Sequence, residues 1–147
     1  MKSIIRRLVI GTILIIASFI SLVQAQELNS VEDEIAVKTA VEDYYIKGLQ
    51  TRDFNLIRNI CIREEIMMGV RDNGEMNVTT LDKWSKRFDP ENPPFNLLDY
   101  VISRIDVEGT AAQVKILFIV NGKTRVTDFL HMLKVKGEWK IVNVIDY

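Results

Sequence analysis

The chain has 147 residues, 48% of them hydrophobic, with 19 Lys+Arg against 20 Asp+Glu and one His, a formal net charge of −1. With no excess of basic residues the charge argues against a nucleic-acid partner, which would want a basic face, and the single cysteine, Cys61, excludes an internal disulfide. The length suits one domain with a core large enough to hold it together.

In chain order, the first feature is an export signal. Lys2, Arg6 and Arg7 form a positive start, Leu8 to Val23 is an apolar run broken only by Gly11, Thr12, Ser18 and Ser21, and Val23-Gln24-Ala25 is a small-residue cleavage site. This predicts a signal peptide over residues 1–25 and one domain over 26–147, exported to the periplasm or secreted, with no membrane association after cleavage. The alternative is a retained N-terminal membrane anchor, since the run approaches the length of a span. Cleavage removes three of the 19 basic residues and none of the 20 acidic ones, leaving a net charge of −4. No cysteine stands at the end of the apolar run to carry a lipid at a processed N-terminus.

Ser30, with Asp33 three places on, is a candidate cap for a long first helix in which Val37, Val41, Tyr44, Tyr45, Gly48 and Leu49 recur at helical spacing. Asp53 can cap a second, short helix with Leu56, Ile57, Ile60 and Cys61 on one side, and a cysteine so placed is expected to be a buried small hydrophobe. "EIMMGVRDNGEM" reads as a hairpin around Asn73-Gly74, with Arg71, Asp72 and Glu75 at a solvated tip. Thr79 or Thr80 then caps a third helix, "LDKWSKRF", whose Leu81, Trp84 and Phe88 face one way. All three prolines fall in "DPENPP", so Asp89–Pro94 is a linker.

Beyond the linker the hydrophobic period changes from that of a helix to that of a strand. Four segments, "LLDYVISRIDV", "AAQVKILFIV", "TRVTDFLHMLKV" and "EWKIVNVIDY", are separated by the turn pairs Glu108-Gly109, Asn121-Gly122 and Lys136-Gly137, which predicts an antiparallel meander. Helices first and strands afterwards indicate α+β, with helices packed on one side of a twisted sheet. Val114, Ile116, Phe118 and Val120 share one face while Leu117 and Ile119 share the other; Phe129, Leu133 and Val135 likewise oppose Val126, Leu130 and Met132. Three short helices cannot cover two apolar faces, so the outer face is expected to bind a second copy of the chain as a homodimer; an N-terminal segment folded over the back is the alternative.

"YYIKGLQTRDFNLI" and "MMGVRDNGEMNVTTLDKWSKRF" resemble the helix junction, hairpin and third helix of the nuclear transport factor two-like superfamily. "YVISRIDVEGTAAQVKI" and "TDFLHMLKVKGEWKIVN" resemble the sheet of its branch called "putative lumazine-binding". The resemblance implies a cone-shaped, strongly curved antiparallel or mixed sheet closed by three N-terminal helices, a cystatin-like α+β roll around a cavity. It also implies a small apolar or heteroaromatic ligand, in a superfamily that includes isomerases, dehydratases and hydrolases as well as proteins that only bind or dimerise.

Catalysis in such a cone needs an electrophilic donor and a base converging on an apolar cavity. Tyr45 matches the tyrosine of the superfamily's steroid isomerases, but their carboxylate position falls near Gly69, which has no side chain; the histidine region of the dehydratases reads "CIREEI", with Glu64 and Glu65 instead. The one histidine, His131, shares a strand face with Phe129, Leu133 and Val135, opposite Asp128, so those two are not a dyad. His131 is either a polar group in the cavity or part of an interface. No metal-ligand spacing or glycine-rich phosphate loop is present, and no cofactor is expected. The cavity-lining candidates are therefore Tyr44, Tyr45, Met67, Trp84, Phe88, Phe118 and His131, with Tyr45 and His131 the only acid-base candidates. The leading expectation is an exported, non-catalytic small-molecule-binding protein; an isomerase, dehydratase or hydrolase using Tyr45 and His131, or a pure dimerisation module, are the alternatives.

Overall fold

The computed structural model describes residues 30–71, 73–88 and 99–147; the export signal and the Asp89–Pro94 linker lie outside them. The chain divides into two compact units, Met1–Asp33 and Glu34–Tyr147. Of the first, the described residues 30–33 are helical, so Ser30 sits inside a helical turn instead of capping one. The second unit carries the fold.

Its first helix is α-helical over residues 34–40, widens to a π-helical stretch at Val41–Ile46 and closes as α-helix at Lys47–Thr51. The widened turn keeps Val41, Tyr45 and Ile46 buried together and turns Tyr44 outward, to 41% exposure. The helix stops where Arg52 takes a left-handed φ of 55°. Asp53 caps the second helix, Phe54–Ile60, by accepting a hydrogen bond from the Asn55 amide, as its sequence position predicts. Cys61 is buried as expected, but it opens a strand instead of closing that helix. Thr80 caps the third helix, Leu81–Ser85, through the Lys83 amide. No helix among the described residues is long and apolar enough to cross a membrane.

Six strands form one curved, open, mixed sheet: β1 (Cys61–Val70), β2 (Met76–Thr80), β3 (Asp99–Glu108), β4 (Ala111–Val120), β5 (Lys123–Val135) and β6 (Glu138–Asp146), in the order β2-β1-β6-β5-β4-β3. The predicted meander is β3 to β6, all antiparallel; the β1–β2 hairpin joins it through a parallel β1–β6 pairing. Asn121-Gly122 and Lys136-Gly137 both have positive φ at each residue, the geometry of two-residue hairpin turns. At the first turn Glu108 still pairs with Ala111, so the turn is Gly109-Thr110, one residue later than the sequence pattern indicates. Register shifts interrupt four of the five ladders, at Cys61/Ile66, Ile102/Arg104, Phe118/Ile119 and His131/Met132. Such bulges bend strands, and together they curl the sheet around the helices.

The concave face carries the core. Val114, Ile116, Phe118, Leu130, Met132, Ile141 and Val144 are buried there against Val37, Val41, Tyr45 and Ile57 of the helices. Tyr100 of β3 donates to Glu42 Oε1 at 3.2 Å, tying the far edge of the sheet to the first helix. The convex face is also apolar but partly open: Leu133, Val135 and Ile145 keep 43%, 42% and 37% of their surface.

Gly48 sets the approach of the first two helices. A Cβ there would lie 2.6 Å from Ile57 Cγ1 and 3.0 Å from the Asp53 carbonyl, a backbone atom that cannot step aside. Gly48→Ala is therefore expected to lower stability by about 1–3 kcal/mol despite the better helix propensity of alanine, measured as a reduced urea midpoint at unchanged slope.

Candidate functional site

Between the curved sheet and the helices lies a hollow of about 520 Å³, within the range of small-molecule sites. Its helical wall is aromatic. Trp84 packs edge to face with Phe88 at 5.4 Å between centroids and, behind the wall, with Phe54 at 5.7 Å, and Tyr45 lies 6.1 Å from Trp84. Met67 of β1, Phe118 and Val120 of β4, Val126 of β5 and Leu49 of the first helix complete the apolar lining, and the exposed Arg87 and Arg125 stand at the rim.

The floor is polar. Tyr45, fully buried, donates its phenolic hydrogen to Asp128 Oδ2 at 2.8 Å. Asp128 is itself only 4% exposed and lies beside fully buried Ile116, its partner on β4. Burial pushes its carboxyl up from the usual 3.8 to about 6; the Tyr45 hydrogen bond opposes this, and the charge of Asp146 adds to it. Asp146 is the direct cross-strand partner of Asp128. Its carboxylate lies over Gly69: a Cβ on that glycine would be 2.5 Å from Asp146 Oδ1. The place where the sequence shows no carboxylate is thus occupied by one that arrives from β6, and Gly69 is what leaves room for it.

Tyr45, Met67, Trp84, Phe88 and Phe118 of the sequence-derived candidates meet in this hollow. Tyr44 and His131 do not. Tyr44 borders a separate groove of about 430 Å³ beside Trp139 and Lys140, because the π-helical stretch turns it away from its neighbour. His131 lies on the convex face, so it cannot act with Tyr45 on one ligand. Its ring is held by Asn143 Oδ1 at 3.2 Å from Nδ1 and Gln113 Nε2 at 3.1 Å from Nε2, while Asn143 Nδ2 donates to the Ile66 carbonyl. An imidazole with Nδ1 protonated satisfies that whole network, which makes it a structural element of the sheet. Among the described residues no three His, Cys, Asp or Glu side chains converge as a metal site.

Asp128 and Asp146 escaped the sequence reading. Asp128 left a signal: an acid on the same strand face as Leu130 and Met132 is a buried acid. Asp146 left none, because the β5–β6 register shift puts it on the concave face, whereas unbroken alternation from Trp139 and Ile141 would point it outward.

The sequence profile of the family described as "Putative lumazine-binding" matches residues 32–145. The chain belongs to that family. No curated protein matches it. Among solved structures it is similar to an NTF2-like protein of unknown function from Shewanella baltica OS155, at 26% identity over 80% of this chain and 94% of that one, with a TM-score of 0.71. An NTF2-like protein of unknown function from Silicibacter pomeroyi DSS-3 follows at 23% identity, 80% and 96% coverage and TM-score 0.65. A ketosteroid isomerase-like protein from Erwinia carotovora atroseptica shares the fold at 14% identity, 78% and 95% coverage and TM-score 0.56. The lumazine-binding family fold is therefore the nuclear transport factor two-like cone that the sequence blocks resemble.

Because the folded-state carboxyl of Asp128 titrates above its unfolded value, the native state binds the proton more tightly between pH 3.8 and about 6. Its contribution to stability is greatest at the acid end and is lost as pH rises through about 6, by an amount on the order of 3 kcal/mol. Asp128→Asn, which stays neutral, is expected to gain on the wild type by that order between pH 4 and pH 7 in paired urea unfolding curves. Tyr45→Phe removes the donor that the ionised carboxylate needs; the expected loss is about 1–3 kcal/mol at pH 7 and clearly less at pH 4.5, where Asp128 is neutral.

Proposed function

We propose that this member of the lumazine-binding family is an exported binding protein that takes a small, largely apolar, heteroaromatic molecule into the hollow and returns it unchanged. The observation that carries the reading is the hollow itself: aromatic and methionine walls around about 520 Å³, with the Tyr45 and Asp128 pair at the floor and Arg87 and Arg125 at the rim. An apolar body gains from leaving water along the walls, and the floor fixes its orientation. Export rests on the N-terminal signal, and the site of cleavage is read by mass spectrometry of the protein recovered from cells.

The convex face supports a homodimer. A shallow hollow of about 730 Å³ there is bordered by Met68, Val70, Met76, Phe129 and Ile145, next to the exposed Leu133 and Val135. A second copy covers apolar surface that a single chain leaves wet. A doubled mass in light scattering is expected, and Ile145→Lys with Leu133→Lys is expected to restore the single-chain mass without lowering the helix and strand content seen by circular dichroism.

A second reading, an isomerase, dehydratase or hydrolase-type enzyme, is favoured by one feature: a phenol, Tyr45, and a buried carboxyl of raised pKa, Asp128, meet beside a second carboxyl, Asp146, in an apolar site, which is the equipment for moving a proton. The two readings part on the fate of the ligand. A thermal-shift and native-mass screen of heteroaromatic compounds is expected to find ligands that raise the melting temperature and are recovered chemically unchanged; a compound at a hundred times its Kd adds about 2.7 kcal/mol. Met67→Trp, which fills the hollow, is expected to abolish the shift. A screen in which nothing binds, or in which binding survives Met67→Trp, counts against the hollow as the site, and conversion of the bound compound moves the assignment to the enzyme.

A further inference from the structure

We propose that the floor of the hollow selects a cation: a ligand with an apolar body and a protonated nitrogen, seated against the Asp128 and Asp146 carboxylates. This rests on the hollow being the ligand site and names the chemistry of what enters it.

The argument is one of unmatched capacity. The floor consists of the Tyr45 hydroxyl, the Asp128 carboxyl and the Asp146 carboxylate, and the one phenolic hydrogen is directed to Asp128 Oδ2. What remains toward the cavity is acceptor capacity, since an ionised carboxylate only accepts. The two acids are cross-strand partners on the concave face, and Asp146 is kept there by the missing side chain of Gly69. The charge of Asp146 acts on Asp128, which burial deprives of its hydration, so a positive donor that bridges the two relieves both costs.

Among the described residues that line the hollow, no buried cation plays that part. From the helices the hollow meets Tyr45, Leu49 and Trp84, from the segment after the third helix Phe88, from β1 Met67, from β4 Phe118 and Val120 and from β5 Val126, none of them cationic. The cations that border it, Arg87 and Arg125, are exposed at the rim, and the influences on Asp128 are burial, Tyr45 and Asp146. A neutral heteroaromatic ring would fill the walls and leave the charge of the floor unanswered.

The same arrangement predicts how binding follows pH. A bound cation requires Asp128 ionised, so below about pH 6 the ligand must displace a proton from it, and affinity is expected to fall toward tenfold per pH unit.

The test uses the full chain and a panel of arylalkylamines of graded ring size, each beside its neutral amide and its carboxylate isostere, with Kd measured by calorimetry at pH 7.5 and pH 5. The expected result is that amines bind at least tenfold more tightly than their amides at pH 7.5, carboxylates bind least, and the advantage of the amine shrinks at pH 5. Asp146→Asn is expected to cut that advantage to about threefold or less while amide affinity stays within twofold; Gly69→Ala, which displaces the Asp146 carboxylate without removing it, is expected to move the ratio the same way. Amides that bind as well as their amines overturn the cation proposal and leave the hollow standing as a ligand site. A panel in which no member binds overturns both. An amine preference untouched by Asp146→Asn and Gly69→Ala also overturns the proposal, because the charge would then be read elsewhere.

Discussion

A carboxyl group placed among fully buried aliphatic side chains has to be held by a hydrogen bond or stay protonated, and Asp128 does some of each. The phenol of Tyr45 spans from helix to sheet to reach it at 2.8 Å. That contact joins the two halves of the cone at the point where the cavity is deepest. It fixes how the helices sit over β5, it positions a polar floor under an aromatic wall, and it makes part of the stability of the domain depend on whether one proton is bound. The rest of the site follows from this constraint, since a second acid beside the first can be tolerated only where the sheet leaves it space.

Curvature is what creates that space. A flat sheet with these residues would pack solidly against its helices; the bulges at Phe118/Ile119 and His131/Met132 bend β4, β5 and β6 so that the concave face closes around a void instead. The second bulge also decides the chemistry. By adding one residue to β6 it brings Asp146 opposite Asp128, on the cavity side, and the absence of a side chain at Gly69 on the neighbouring strand accepts it. Fold and site are thus two consequences of the same irregularity.

Much of the fold was readable before any coordinates, for identifiable reasons. Asn121-Gly122 and Lys136-Gly137 name their turns because few residue pairs tolerate positive φ twice in succession, and the Asp53 and Thr80 caps name their helices because the side-chain oxygen answers an otherwise unpaired amide. The alternation of Val114, Ile116 and Phe118 against Leu117 and Ile119 separates two faces correctly but does not say which is concave. That is why His131, placed correctly opposite Asp128, stayed open between cavity and interface until the sheet was seen to curl away from it. Tyr44 was grouped with Tyr45 as cavity lining because the π-helical stretch at Val41–Ile46 departs from the α-helical period. The Asp128–Asp146 pair was hidden by the bulge, since strand parity holds only as far as the next inserted residue.

The central claim is that an apolar-walled hollow with a buried Asp128 at its floor lies inside the cone. The most direct measurement is a carbon-13 NMR titration of the aspartate carboxyls, assigned through Asp128→Asn. A midpoint near 6 for Asp128, moving upward in Tyr45→Phe, is the result this account predicts. A midpoint at the ordinary 3.8, unmoved by loss of the phenol, would mean that the carboxylate is hydrated and that the enclosed site described here does not exist.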